Sequence, residues 1–93
     1  LDATIITTIG ELIQDTRRSL NMTITQLSEL SGVSRGTISR IENGEVKRPE
    51  FSSVRPLAMT LNIPFETLVD YYAEIEKRAE TLLSSYSTTM RRH

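Results

Sequence analysis

The chain contains no cysteine. A disulfide framework, a thiolate zinc site and a cysteine nucleophile are excluded together, and the absence fits a reducing cytoplasm. Histidine is almost absent too: the single one, His93, is the last residue. The plentiful serines and threonines therefore have no imidazole to activate them. No glycine-rich phosphate loop follows a strand-like run. The carboxylates are scattered along helix surfaces, with Glu76 and Glu80 expected to be solvated. Neither catalytic residues nor a metal or cofactor site is expected. Long apolar runs are missing as well; nothing approaches the ~20 residues of a membrane span, so a cytoplasmic protein without a membrane partner is expected.

What remains is the material of one small domain. The 93 residues are 38% hydrophobic and 25% charged, enough for one compact core. Position 1 is Leu rather than Met, as it would be in a piece of a longer protein. The net charge of −1 conceals a division. Residues 17–55 carry seven Lys and Arg against four Glu, for +3, whereas residues 56–90 carry two against five, for −3. Surface potential follows local distribution rather than the total. A basic middle suits a polyanion, and an acidic end can face another protein.

The pattern along the chain is helical, punctuated by capping signals. Residues 1–7 have no helical period and favour extended structure, as a disordered N-terminal arm, an added strand or an appended remnant; Ile5 and Ile6 are among their apolar members. Thr8 and Glu11 stand in capping-box spacing, followed by Ile9, Leu12, Ile13 and Leu20 as an apolar stripe, with Asn21 as the stop. Thr23 and Gln26 repeat the device for a second helix. There Met22 can staple against Leu27, Leu27 and Leu30 face inward, and Gly32 is the stop. Ser34 caps a third helix over Arg35–Asn43, with Val33 stapling against Ile38 and Gly44 ending it. Ile38 and Ile41 are its only large apolar residues, so one narrow stripe anchors it and the opposite face is free. A fourth helix covers roughly Ser52–Leu61 through Val54, Leu57, Ala58 and Leu61. Pro56 requires an ordered start near Ser53, so that it falls in the first turn. After the turn Asn62–Pro64, a fifth helix runs from Phe65 to about Tyr86. Ser84–Thr89 is expected to fray and Met90–His93 to be a tail.

On the fifth helix Leu68, Tyr72, Ile75, Ala79, Leu82 and Tyr86 are spaced 4, 3, 4, 3, 4, the heptad period of a coiled-coil seam. About two and a half heptads leave two readings open: a dimer seam, or a helix packed on its own domain. The organisation is an arm at 1–7, an all-α five-helix domain at 8–69, and a C-terminal helix and tail at 70–93 that dimerises or connects to a further domain.

Residues 9–69 resemble the XRE-like helix-turn-helix family of phage repressors and Cro proteins. The resemblance is carried by Ile9-Gly10-Glu11-Leu12-Ile13, Thr23 to Leu27, Gly32-Val33-Ser34-Arg35-Gly36-Thr37-Ile38-Ser39-Arg40-Ile41-Glu42-Asn43-Gly44, Lys47-Arg48-Pro49, and Leu57 through Pro64. It implies a five-helix repressor-like domain and a sequence-specific, double-stranded DNA-binding transcription regulator. The third helix would lie in the major groove, with base contacts from Arg35, Gly36, Thr37, Ser39 and Arg40. Phosphate contacts would come from Thr23, Thr25, Gln26, Asn43, Lys47 and Arg48. The chain departs from many relatives in having Ile24 where a polar phosphate-contacting side chain often sits. Arg17 and Glu42 are implied to form a structural ion pair. The family commonly binds as homodimers, implying an inverted-repeat operator. The alternative is a protein-interaction module such as an antitoxin or adaptor. Exposed aliphatic or aromatic side chains on the third helix would mark that case; Arg, Gly, Thr, Ser and Arg stand there instead.

Overall fold

The computed structural model describes the backbone of residues 8–91 and the side chains of residues 8–80. Five helices follow one another: α1 (Ile9–Ser19), α2 (Ile24–Ser31), α3 (Arg35–Glu42), α4 (Phe51–Leu61) and α5 (Phe65–Arg91). No strand occurs among the described residues, so the architecture is all-α. No described helix is long and apolar enough to cross a membrane. The N-terminal arm, with Ile5 and Ile6, and the side chains of Leu82, Tyr86 and His93 lie outside the described residues.

Local chemistry starts and stops the first three helices. Thr8 Oγ1 accepts from the Glu11 N–H at 3.1 Å while Glu11 Oε1 accepts from the Thr8 N–H at 2.9 Å. Thr23 and Gln26 form the same reciprocal box at 3.0 and 2.9 Å. Ser34 Oγ accepts from the Thr37 N–H at 3.2 Å. Each bond satisfies an amide that the helix leaves without a partner. Asn21 ends its helical turn at φ 55°, and Gly32 (φ 82°) and Gly44 (φ 78°) end theirs in the left-handed region that favours glycine.

The helices enclose Ile9, Ile13, Leu27, Ile38, Ile41, Val54, Leu57, Ala58, Leu61 and Leu68. α1 and α2 each pack on both α3 and α4. Burying each large side chain contributes about 1.5–3 kcal/mol. Met22 and Val33, the two staple residues, lie against this core.

The structure departs from the pattern at four places. Leu20 and Leu30 are 52% and 67% exposed. Leu20 follows the last residue of α1. On α2, Leu30 stands about 120° round the helix from Ile24, with Leu27 between them; α2 rolls so that Ile24 packs on the core and Leu30 faces water. α4 begins at Phe51, which puts Pro56 at its sixth position, beyond the first turn. The start is set by tertiary contact: the Phe51 ring meets Phe65 and Tyr72 edge-on at 5.9 and 5.7 Å. The carbonyl of Ser52, which loses a helical partner to Pro56, belongs to an exposed residue. Finally, the helix continues through Ser84–Thr89 to Arg91 rather than stopping near Tyr86.

The heptad row divides. Leu68 is 1% exposed in the core, so it leaves the expected seam, and Tyr72 and Ile75 also pack against the core. Packing thus reaches past residue 69 to Ile75. Ala79 is exposed.

Candidate nucleic-acid interface

The anchored face of α3 consists of Ile38, Ile41 and Glu42. Ile38 and Ile41 enter the core, and Glu42 meets Arg17 from α1. Arg17 Nε and Nη2 donate to the two carboxylate oxygens at 2.8 and 2.9 Å, and Nη1 donates to the Met22 carbonyl at 2.8 Å. Gln14 Nε2 adds a longer bond to Glu42 at 3.4 Å. The bidentate bond to Glu42 raises the Arg17 pKa against the opposing effect of burial. One guanidinium therefore ties α1, the turn before α2 and α3 together. Near the other end of α1, a methyl group added at Gly10 would stand 2.0 Å from the Ile41 carbonyl oxygen. Backbone contact at Gly10 and an ion pair at Arg17 clamp α3 at two points.

The opposite face is held out to solvent. Arg35, Gly36 and Arg40 are exposed, while Thr37 and Ser39 are half-buried. Neither arginine has a hydrogen-bond or ion-pair partner among the described residues. Gly36 and Arg40 share one side of the helix: a side chain begun at Gly36 would meet only Arg40 Nη1, at 3.6 Å. The Ser34 hydroxyl donates to Thr37 Oγ1 at 2.9 Å, and Asn43 Nδ2 donates to Ser39 Oγ at 3.4 Å.

At the start of α2, Thr23, Thr25 and Gln26 are exposed. Gln26 spends Oε1 on the cap, which leaves its Nε2 as an outward donor. Ile24 packs against the core, so at that position the backbone N–H is the only donor, beside the side chains of Thr23, Thr25 and Gln26. Asn43 and Lys47 are exposed after α3, and Lys47 has no partner among the described residues. Arg48 is placed differently. It pairs with Glu76 of α5 at 2.6 Å and lies over the Tyr72 ring, 5.6 Å from its centroid. This link, and the Gly10 contact, went unseen in the sequence. Arg48 and Glu76 are 28 positions apart, and no periodic or capping signal joins them.

No group of three or more metal-ligating side chains occurs among the described residues. What the arrangement offers is a capped, outward polar helix, flanked by donors from α2 and the loop after α3.

Residues 13–68 match the family model described as helix-turn-helix. The chain belongs to the helix-turn-helix family. Two curated relatives come from Bacillus subtilis (strain 168). One is named an uncharacterized HTH-type transcriptional regulator, RghRB; it is 34% identical over 73 residues, which are 78% of this chain and 52% of that protein. The other is named the HTH-type transcriptional repressor RghR; it is 40% identical over 68 residues, 73% of this chain and 50% of that protein. The chain thus spans about half the length of the relatives it matches. No solved structure matches it significantly. Within the helix-turn-helix unit, α2 and α3 are the paired helices, and the clamp through Arg17 and Gly10 sets α3 on its scaffold.

Proposed function

We propose that this protein binds double-stranded DNA sequence-specifically and regulates transcription. α3 enters the major groove, with Arg35 and Arg40 on base edges and Gly36, Thr37 and Ser39 at close approach. Thr23, Thr25, Gln26, Asn43 and Lys47 hold the flanking phosphates. The observation that carries this reading is the outward face of α3. It presents two arginines without a partner among the described residues, either side of a glycine, on a helix whose other face is anchored. An interaction module would present apolar side chains there. The naming of RghR as a repressor favours repression as the output. A DNA partner places the working protein in the cytoplasm, and the reading ascribes to it neither catalysis nor a cofactor.

One recognition helix reads too few base pairs to find a site in a genome, so the proposal includes a homodimer on an inverted repeat. Leu68 is spent on the core, which leaves the distal part of the row, Ala79, Leu82 and Tyr86, as the candidate seam. Selection from randomised duplex DNA tests both parts. The expected outcome is one motif repeated in inverted orientation, its half-site centres about 34 Å apart or a multiple of that. Recovery of unrelated duplexes would overturn sequence-specific reading; a single unrepeated motif would overturn the dimer.

A further inference from the structure

The loop after α3 is fastened to α5 at two successive residues. Arg48 Nε donates to Glu76 Oε2 at 2.6 Å, with Nη2 equally close to the same oxygen. The Tyr72 hydroxyl donates to the Pro49 carbonyl at 2.6 Å, and the Tyr72 ring underlies the guanidinium. Pro49 is buried, but the Arg48 and Glu76 side chains are 57% and 52% exposed. The pair is therefore within reach of solvent and of an approaching polyanion. An exposed ion pair is weak, and a DNA phosphate can take the same two guanidinium nitrogens on two oxygens, where Glu76 offers them one.

Resting on the reading that this loop faces DNA, we infer that Glu76 is an internal competitor for DNA phosphate. Its carboxylate holds the guanidinium that a phosphate would otherwise take. α5 thereby sets how many cations the loop presents, and whatever turns or covers α5 at residue 76 changes DNA affinity without touching α3. Arg48 then differs from Lys47, which sits one residue away with no anionic partner among the described residues. Glu76 acts through Arg48 and is a positioning residue, not a DNA contact.

The test is a double-mutant cycle on the full chain with one fixed random-sequence duplex, titrated over a salt series. Glu76→Gln should bind about two- to five-fold tighter at low salt, the reciprocal of a surface ion pair's worth. The gain should vanish when Arg48→Ala is also present. Both side chains are half-exposed, so far-UV circular dichroism should be unchanged in all four proteins. A gain of equal size with Arg48 removed would overturn the inference, making Glu76 a general repulsive charge. No gain at all would overturn it too. Failure of the wild-type chain to bind any duplex at any salt is a separate result, and it would overturn the DNA-binding reading on which this one rests.

Discussion

Removing the charge of Glu42 should destabilise the protein strongly. The Glu42 side chain is 1% exposed and that of Arg17 9%. Glu42→Gln keeps the shape of the side chain but leaves the guanidinium buried without a counter-charge. Breaking one half of a buried pair costs about 3–5 kcal/mol. A chain of 93 residues has a total stability of about 5–14 kcal/mol, so the loss is at least about a fifth of it. Arg17→Met should cost a similar amount, since it orphans the carboxylate and also frees the Met22 carbonyl. The double variant Arg17→Met with Glu42→Leu orphans no charge, and it should fall within about 2 kcal/mol of wild type. The assay is urea unfolding of all four proteins followed by far-UV circular dichroism, read as a coupling energy. A loss under about 1 kcal/mol for Glu42→Gln, or additive single effects, would refute the claim that this pair clamps α3 to α1.

Gly10→Ala should lower stability by about 1–3 kcal/mol, because the obstacle 2.0 Å away is a backbone carbonyl that cannot rotate aside. A raised melting temperature, as helix propensity alone would produce, would count against the close approach of α1 and α3. Burial pushes the Tyr72 phenol above its ordinary value, with Arg48 pulling the other way. A raised folded-state pKa gives stability that is complete below about pH 10 and is lost as pH rises through the folded value. Tyr72→Phe should therefore cost about 1 kcal/mol at neutral pH through the lost bond to Pro49, and should lose less than wild type on alkaline titration. Equal alkaline losses, measured as urea midpoints, would remove Tyr72 as the cause. Arg40→Ala should weaken binding to the selected site by about 1–3 kcal/mol and leave random duplex nearly unaffected; an equal loss on both would make Arg40 a phosphate contact.

The sequence alone determined the helix limits that depend on near neighbours. Thr8 with Glu11, Thr23 with Gln26, and Ser34 reach amides three residues on, and Gly32 and Gly44 relieve a steric conflict within their own residue. Such signals need no tertiary partner. The same reach made the polar face of α3 legible, because two isoleucines leave only one way to dock it. The family resemblance supplied the Arg17–Glu42 pair, which the structure contains, and the proposed contact roles; no local pattern carries either. Only the tertiary structure decided the rest. Leu30 obeys the helical period as well as Ile24 does, and which of them faces water depended on how α2 rolls against α4. Helix α4 starts at Phe51 because two aromatic rings from α5 receive it, at the cost of moving Pro56 out of the first turn. The heptad row fits a seam and a packed helix equally well in one dimension; Leu68 resolves its first half by entering the core. Arg48 looked the same as Lys47 until α5 brought Glu76 to it. The physical reason is common to all of these. A capping bond is closed by the chain's own geometry within a turn, whereas a packed ring, a rolled helix or a 28-residue ion pair exists only after the other helices are in place.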